Sequence, residues 1–185
     1  MIPAAAAAVG LGAMAGGVLA LAAKGALTLD VGVGRTVRPL GPIVVDIDAP
    51  RDVVFDVLSA PYLRKLPRAL RTKLDVVERG ADMVLAAHFT PVAGTVATTL
   101  ETVRFEPPER ISFRLVRGPV PHVAEEFRLE GLGERTRFRY SGELGTDFWA
   151  LGRLWGNIVA KRWEAVVEES VASVRTECER RARRA

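Results

Sequence analysis

From residue 72 to residue 143 the chain repeats one pattern six times. Stretches of alternating apolar and polar residues, at about 72–79, 82–90, 95–105, 110–117, 121–130 and 135–143, are separated by Gly or Pro turns at 80, 91–94, 107–108, 118–119 and 131–133. A period of two puts alternate side chains on opposite faces of a strand, and connections this short join antiparallel neighbours. The stretch "TVRFEPPERISFRLV" (102–116) shows the unit. Val103 and Phe105 point one way and Arg104 the other. After the turn, Ile111, Phe113 and Leu115 share a face opposite Ser112 and Arg114. Pro107 and Pro108 donate nothing to a ladder, so pairing stops there. Consecutive strands of this kind form a sheet with one greasy face, and that face needs a cover.

The cover follows directly. Residues 147–181 contain no proline and carry Phe148, Trp155, Val159, Trp163 and Val166 at helical spacing, which predicts a long amphipathic C-terminal helix. Upstream, "PIVVDIDA" reads as a first strand with Ile43, Val45 and Ile47 on one face. "APRDVVFDVLSAP" reads as a helix, with Pro50 at its first position, Asp52 in its first turn, a stripe of Val54, Phe55 and Leu58, and Pro61 ending it. "YLRKLPRAL" (62–70) reads as a second short helical piece broken by Pro67. Strand, two short helices, six strands and one long helix predict an α+β domain. Its seven-stranded antiparallel sheet is wrapped around the C-terminal helix.

The N-terminus is different in kind. Ile2 to Ala23 is a run of 22 residues without a charge. At 1.5 Å per residue it is long enough to cross a bilayer's hydrocarbon core of about 30 Å. No Lys or Arg precedes it, as a signal peptide would require, so an uncleaved transmembrane anchor is favoured over a cleaved leader ending at the "ALA" of 20–22. Lys24, Arg35 and Arg38 follow it, which predicts a single-pass membrane protein with its domain in the cytoplasm; secretion after cleavage is the alternative. Gly12 and Gly16 form a GxxxG pair that would let two copies approach as a homodimer. The organisation is therefore an anchor or signal segment at 1–24, a Gly- and Pro-containing linker at 25–41, a folded domain at 42–181 and a basic tail at 182–185.

Composition excludes several functions. The net charge is +4, but the arginines alternate with glutamates along the strands, which makes a solvated face rather than a nucleic-acid groove. One cysteine, Cys178, rules out an intrachain disulfide. Two histidines, His88 and His122, argue against a His-based metal centre. No P-loop, dinucleotide or zinc motif is present, so no cofactor is expected.

Three stretches resemble the START-like superfamily, which includes the polyketide cyclase/dehydrase and lipid-transport proteins. "IDAPRDVVFDVLSAPYLRKLP" is similar to its opening strand and helix pair, "VRFEPPERISFRL" to its central hairpin, and "GELGTDFWALGRLWGNIVAKRWEAVVEESVASVRTECE" to its closing helix. Tyr62 with Lys65, Leu66 and Pro67, followed by "VVERGADMVLAAHF", also resembles the coenzyme-Q-binding branch. The resemblance spans about Pro42–Cys178. It implies a helix-grip fold with a cavity between sheet and helix that binds an apolar small molecule.

Alternation nominates the lining. If Val103 and Phe105 face inward, so does Glu101; Glu125 goes in with Val123, Phe127 and Leu129. Phe113 and Leu115 line the hairpin, Phe138 and Tyr140 the next strand, and Trp155 and Val159 the helix, with Gly152 a turn earlier leaving room. A carboxylate on an apolar face is costly unless it is paired, wet or protonated. Glu101 and Glu125 therefore pair with a cation such as Arg162, hold the polar end of a ligand, or perform acid–base chemistry. His88 could join them, but either face of its strand could be the inner one. His122, after Pro121, is expected outside. Three functions compete: a membrane-tethered binding or transport module for a lipid, isoprenoid, quinone or polyketide; a cyclase or dehydratase using the cavity carboxylates; and an interaction scaffold without catalysis.

Overall fold

The computed structural model describes residues 16–18, 20–63, 72–92 and 94–184. It contains β1 (Thr36–Ile47), α1 (Arg51–Leu63), β2 (Leu74–Arg79), β3 (Met83–Val92), β4 (Thr95–Glu106), β5 (Arg110–Arg117), β6 (His122–Leu132), β7 (Arg135–Thr146) and α2 (Trp149–Ala182). The strands form one seven-stranded sheet in the order β1-β7-β6-β5-β4-β3-β2, antiparallel throughout. β2 to β7 form a meander, and β1 closes it by pairing with β7.

The alternation becomes rows of cross-strand neighbours on the inner face. Phe105 faces Ile111, Ile111 faces Phe127, Phe127 faces Tyr140 and Tyr140 faces Ile43. Such pairs are the unit of sheet stabilisation. Arg128, Arg139, Arg104 and Arg114 point to the exposed face. α2 lays Val159, Ala160, Val167, Val171 and Cys178 against the interior. Gly156 lets it approach closely: a Cβ there would lie 3.1 Å from Thr146 and 3.4 Å from Leu144. Burial pushes the Cys178 thiol up to about 12, which leaves it unreactive at neutral pH.

Several expectations are corrected. The linker reading of 25–41 fails at its end, because β1 begins at Thr36; Gly41 takes a positive φ at an irregularity in the pairing rather than ending the strand. Pro50 precedes α1, and its carbonyl accepts the Val54 amide. Pro61 does not stop α1, which continues to Leu63, since losing one amide in a last turn costs little. Residues 64–70 of the second helical piece lie outside the described residues, as do residues 1–15 and 19 of the proposed anchor. Among the described residues, no helix is long and apolar enough to cross a membrane.

Residues 25–35 of the expected linker, together with Lys24 before them, are strapped to the domain. Lys24 O accepts the Thr98 amide, and Thr28 Oγ1 both donates to and accepts from the Gly118 backbone at 2.8 Å. Asp147, buried at the β7–α2 junction, accepts from the amides of Val31 and Gly32 at 2.8 Å each and from Arg35 Nε at 2.7 Å. The Arg35 guanidinium holds the Asp147 carboxyl down at about 2, with the two amides assisting. The next residues, Phe148 and Trp149, have φ of 71° and 47°, a region that bulky residues avoid. Their amides are fixed by the carbonyls of Val33 and Gly34.

Gly152 does not leave room beside a cavity. A Cβ on it would fall 1.6 Å from Asp147 O, so its space is already filled by backbone. Gly152→Ala is expected to lower stability by about 1–3 kcal/mol or more by overpacking this junction. Thermal denaturation checks it; a variant as stable as the parent contradicts the close approach.

Candidate functional site

Where α1, α2 and one end of the sheet diverge, a cavity of about 400 Å³ remains. The inward rows explain its position. The row through Phe138, and Phe105 and Ile111 of the next row, lie under packed side chains. Further along the strands come Val103, Phe113 and Glu125, then Ala86, Glu101 and Leu115, then His88 beside Thr99. The cavity occupies this second end. Its apolar wall comes from Val57, Leu58 and Pro61 of α1, Phe113 and Phe127 of the sheet, and Trp155, Val159, Val166 and Val167 of α2.

The polar groups in it are few and interlinked. Glu101 is 5% exposed. Its Oε1 accepts from Thr99 Oγ1 at 2.7 Å, and its Oε2 lies 3.3 Å from His88 Nδ1. His88 Nε2 is 3.1 Å from the Tyr62 hydroxyl. Nδ1 itself is buried and lacks a well-directed hydrogen bond. On the neighbouring row, Glu125 Oε2 accepts from Tyr140 OH at 2.7 Å and from Trp163 Nε1 at 2.8 Å. Among the described residues no donor satisfies Glu125 Oε1.

Burial controls their protonation. It raises Glu101 to about 7 against the pull of Thr99. It raises Glu125 to about 8, helped by the Glu101 charge and opposed by Tyr140 and Trp163. It lowers His88 to about 4. Between about pH 4 and pH 7 the contact between His88 and Glu101 is thus a pair of neutral groups rather than a salt bridge. Tyr62 is held as the phenol by burial and by both carboxyls. The site can donate and accept protons near neutral pH while carrying little charge. Among the described residues no group of three or more His, Cys, Asp or Glu is placed to hold a metal.

Six of the ten nominated residues line the cavity: Glu101, Glu125, Phe113, Phe127, Trp155 and Val159. Four do not. Phe138 and Tyr140 are fully buried in the core, and Tyr140 reaches the site only through its bond to Glu125. Phe105 packs behind Tyr62, their ring centroids 5.9 Å apart. Leu115 faces the Gly118 turn. Arg162 pairs with neither carboxyl; it lines the mouth and donates to Pro91 O at 3.0 Å. His88, whose face was open, points inward with Val84 and Ala86. His122 bonds Glu143 on the other side of the sheet, 2.8 Å away. Tyr62 and Trp163 were not nominated. Trp163 follows Val159 by four residues, a signal that helical spacing carried; for Tyr62 the signal was its place in the stretch with Lys65, Leu66 and Pro67 that resembles the coenzyme-Q-binding branch.

Residues 43–179 match the family model described as polyketide cyclase/dehydrase and lipid transport. The Zhui aromatase/cyclase from Streptomyces sp. R1128 is similar in structure, with a TM-score of 0.60 and 26% identity over 79% of this chain and 96% of that one. TTHA0849 from Thermus thermophilus aligns with a TM-score of 0.61 at 18% identity, over 76% of this chain and 97% of that one. Norcoclaurine synthase from Thalictrum flavum aligns with a TM-score of 0.60 at 13% identity, over 78% and 87%. The last two show the fold alone. No curated protein sequence matches this chain.

Proposed function

We propose, from the premise that this chain belongs to the polyketide cyclase/dehydrase and lipid-transport family, that its cavity holds an apolar small molecule with a hydroxyl or carbonyl end. The observation that carries this reading is an apolar cavity of about 400 Å³ with two carboxyls and an imidazole, Glu101, Glu125 and His88, placed on its sheet side. Small-molecule sites have this build: apolar walls and a small number of placed polar groups. Glu125 Oε1 is the atom available to such an end, since both hydrogen bonds to this carboxyl go to Oε2. The uncharged run at the N-terminus supports tethering beside a bilayer, where such ligands dissolve. Retention of the full chain in membranes through carbonate extraction tests the tether.

The cavity is tested by uptake of N-phenyl-1-naphthylamine by the full chain, with mass spectrometry of organic extracts from gently purified protein. Val166 lines the cavity and is half-buried. Val166→Trp is expected to reduce uptake at least tenfold and leave the thermal midpoint nearly unchanged, because filling a void need not create the strain of overpacking. A parent protein that takes up no probe overturns the reading.

Catalysis is a second reading, favoured by one observation. Glu101 and Glu125 are held near neutral pH beside a neutral His88, as proton transfer to or from a keto or hydroxyl substrate requires. The aromatase/cyclase relative supports it. Turnover of a poly-β-keto mimic, lost in Glu125→Gln while probe uptake persists, would establish it. Equal turnover by both proteins would remove it.

A further inference from the structure

The N-terminal half of α2 is apolar on its outer face as well as on the inner face that Val159 and Ala160 bury. Leu151, Leu154 and Ile158, spaced to share one stripe, are 71%, 62% and 58% exposed. Trp149, the first residue of the helix, is 61% exposed. Its ring lies over Gly34, where a Cβ would be 2.3 Å from the indole. Val31 and Val33 of the strap are exposed beside it, and the Val33 carbonyl takes the Phe148 amide. Scattered apolar residues on a surface need no explanation, but a contiguous patch does. This one is also held out at a cost, since Phe148 and Trp149 both keep left-handed backbone.

We propose that this face docks into the interfacial layer of a bilayer containing anionic lipid. Three observations choose that occupant. From Trp149 to Trp163 the helix carries Arg153, Lys161 and Arg162 and no acid; the first is Glu164. An exposed apolar stripe with an aromatic residue and flanking cations is the pattern of interfacial helices. The uncharged run of 2–23 ends here too, with Ala23 lining the cavity mouth. Ile158 and Arg162 belong both to this face and to the cavity lining. Docking therefore sets the mouth against lipid, so that an apolar ligand crosses without entering bulk water.

The experiment uses the full chain reconstituted with vesicles, and its readout makes no use of a cavity ligand. Its failure is therefore separable from failure of the binding reading. An environment-sensitive fluorophore is placed on Leu154→Cys, and on Val44→Cys of β1 as a control for proximity imposed by residues 2–23; the native Cys178 is buried. In phosphatidylcholine–phosphatidylglycerol vesicles, nitroxide lipids are expected to quench the label at 154 and not at 44. The double variant Arg153→Glu/Lys161→Glu should weaken this quenching by about fivefold for each cation removed. Quenching at 154 no greater than at 44 overturns the proposal. So does a blue-shifted label at 154 without vesicles: cross-linking between copies would then assign the face to a second chain, and its absence to this chain's own residues.

Discussion

Glu125→Gln is expected to flatten the loss of stability that the parent protein shows between pH 6.5 and pH 9. A carboxyl raised by burial makes the folded state bind more protons than the unfolded state, so stability falls as pH rises from the unfolded value toward the folded one. Glu101 and Glu125, displaced from 4.5 to about 7 and about 8, both act in this sense. His88, lowered from 6.5 to about 4, acts oppositely, adding stability as pH rises through that window. Between about pH 4.5 and 6.5 the single His88 offsets about half of the loss from the two carboxyls. Above about pH 6.5 only the carboxyls remain, and at about 1.4 kcal/mol per pKa unit they remove on the order of 2 kcal/mol by pH 9. Glutamine cannot ionise and keeps an oxygen for Tyr140 and Trp163. Denaturant midpoints of both proteins at pH 6.5 and pH 9 check this. A parent whose stability does not change over that range would show that the cavity carboxyls are hydrated.

Asp147→Ala is expected to cost about 3 kcal/mol, or roughly 6–12 °C in thermal midpoint for a chain of this size. Asp147 gathers two backbone amides and one guanidinium at a buried junction. Arg35 is partly exposed and can rehydrate, so the loss comes mainly from the amides of Val31 and Gly32. The same change releases the strap from the start of α2. Amide exchange should therefore speed up at Val31, Gly32, Phe148 and Trp149 before the rest of the sheet. Because the folded carboxyl lies at about 2, its stabilisation is full above its unfolded value near 3.8 and is lost only as pH falls toward 2. A midpoint unchanged by the substitution would mean the strap is held by its other contacts alone.

Much of this molecule was present in local pattern. Strand alternation is a property of neighbouring residues, so it placed the six later strands and the face on which Glu101 and Glu125 lie. The proline-free stretch likewise placed α2 within two residues of its observed ends. Local pattern failed where the outcome depends on distant partners. His88 lies on a strand apolar on both faces, and only pairing of β3 with β4 turned it toward Thr99 and Glu101. Alternation says which face a side chain takes but not how far along the strand the covering helices separate from it. Phe105 and Phe127 therefore looked alike in sequence, yet one packs behind Tyr62 and the other lines the cavity. Gly152 looked like space because a missing side chain is visible in sequence and the backbone that fills its place is not. Tyr62 and Trp163 reach the carboxyls only because α1 and α2 cross the same end of the sheet. Short-range period and turn chemistry were enough to place the elements, their faces and the two inward acids. The tertiary structure alone decided the cavity's depth and partners, because these depend on where separate elements part, which no local pattern records.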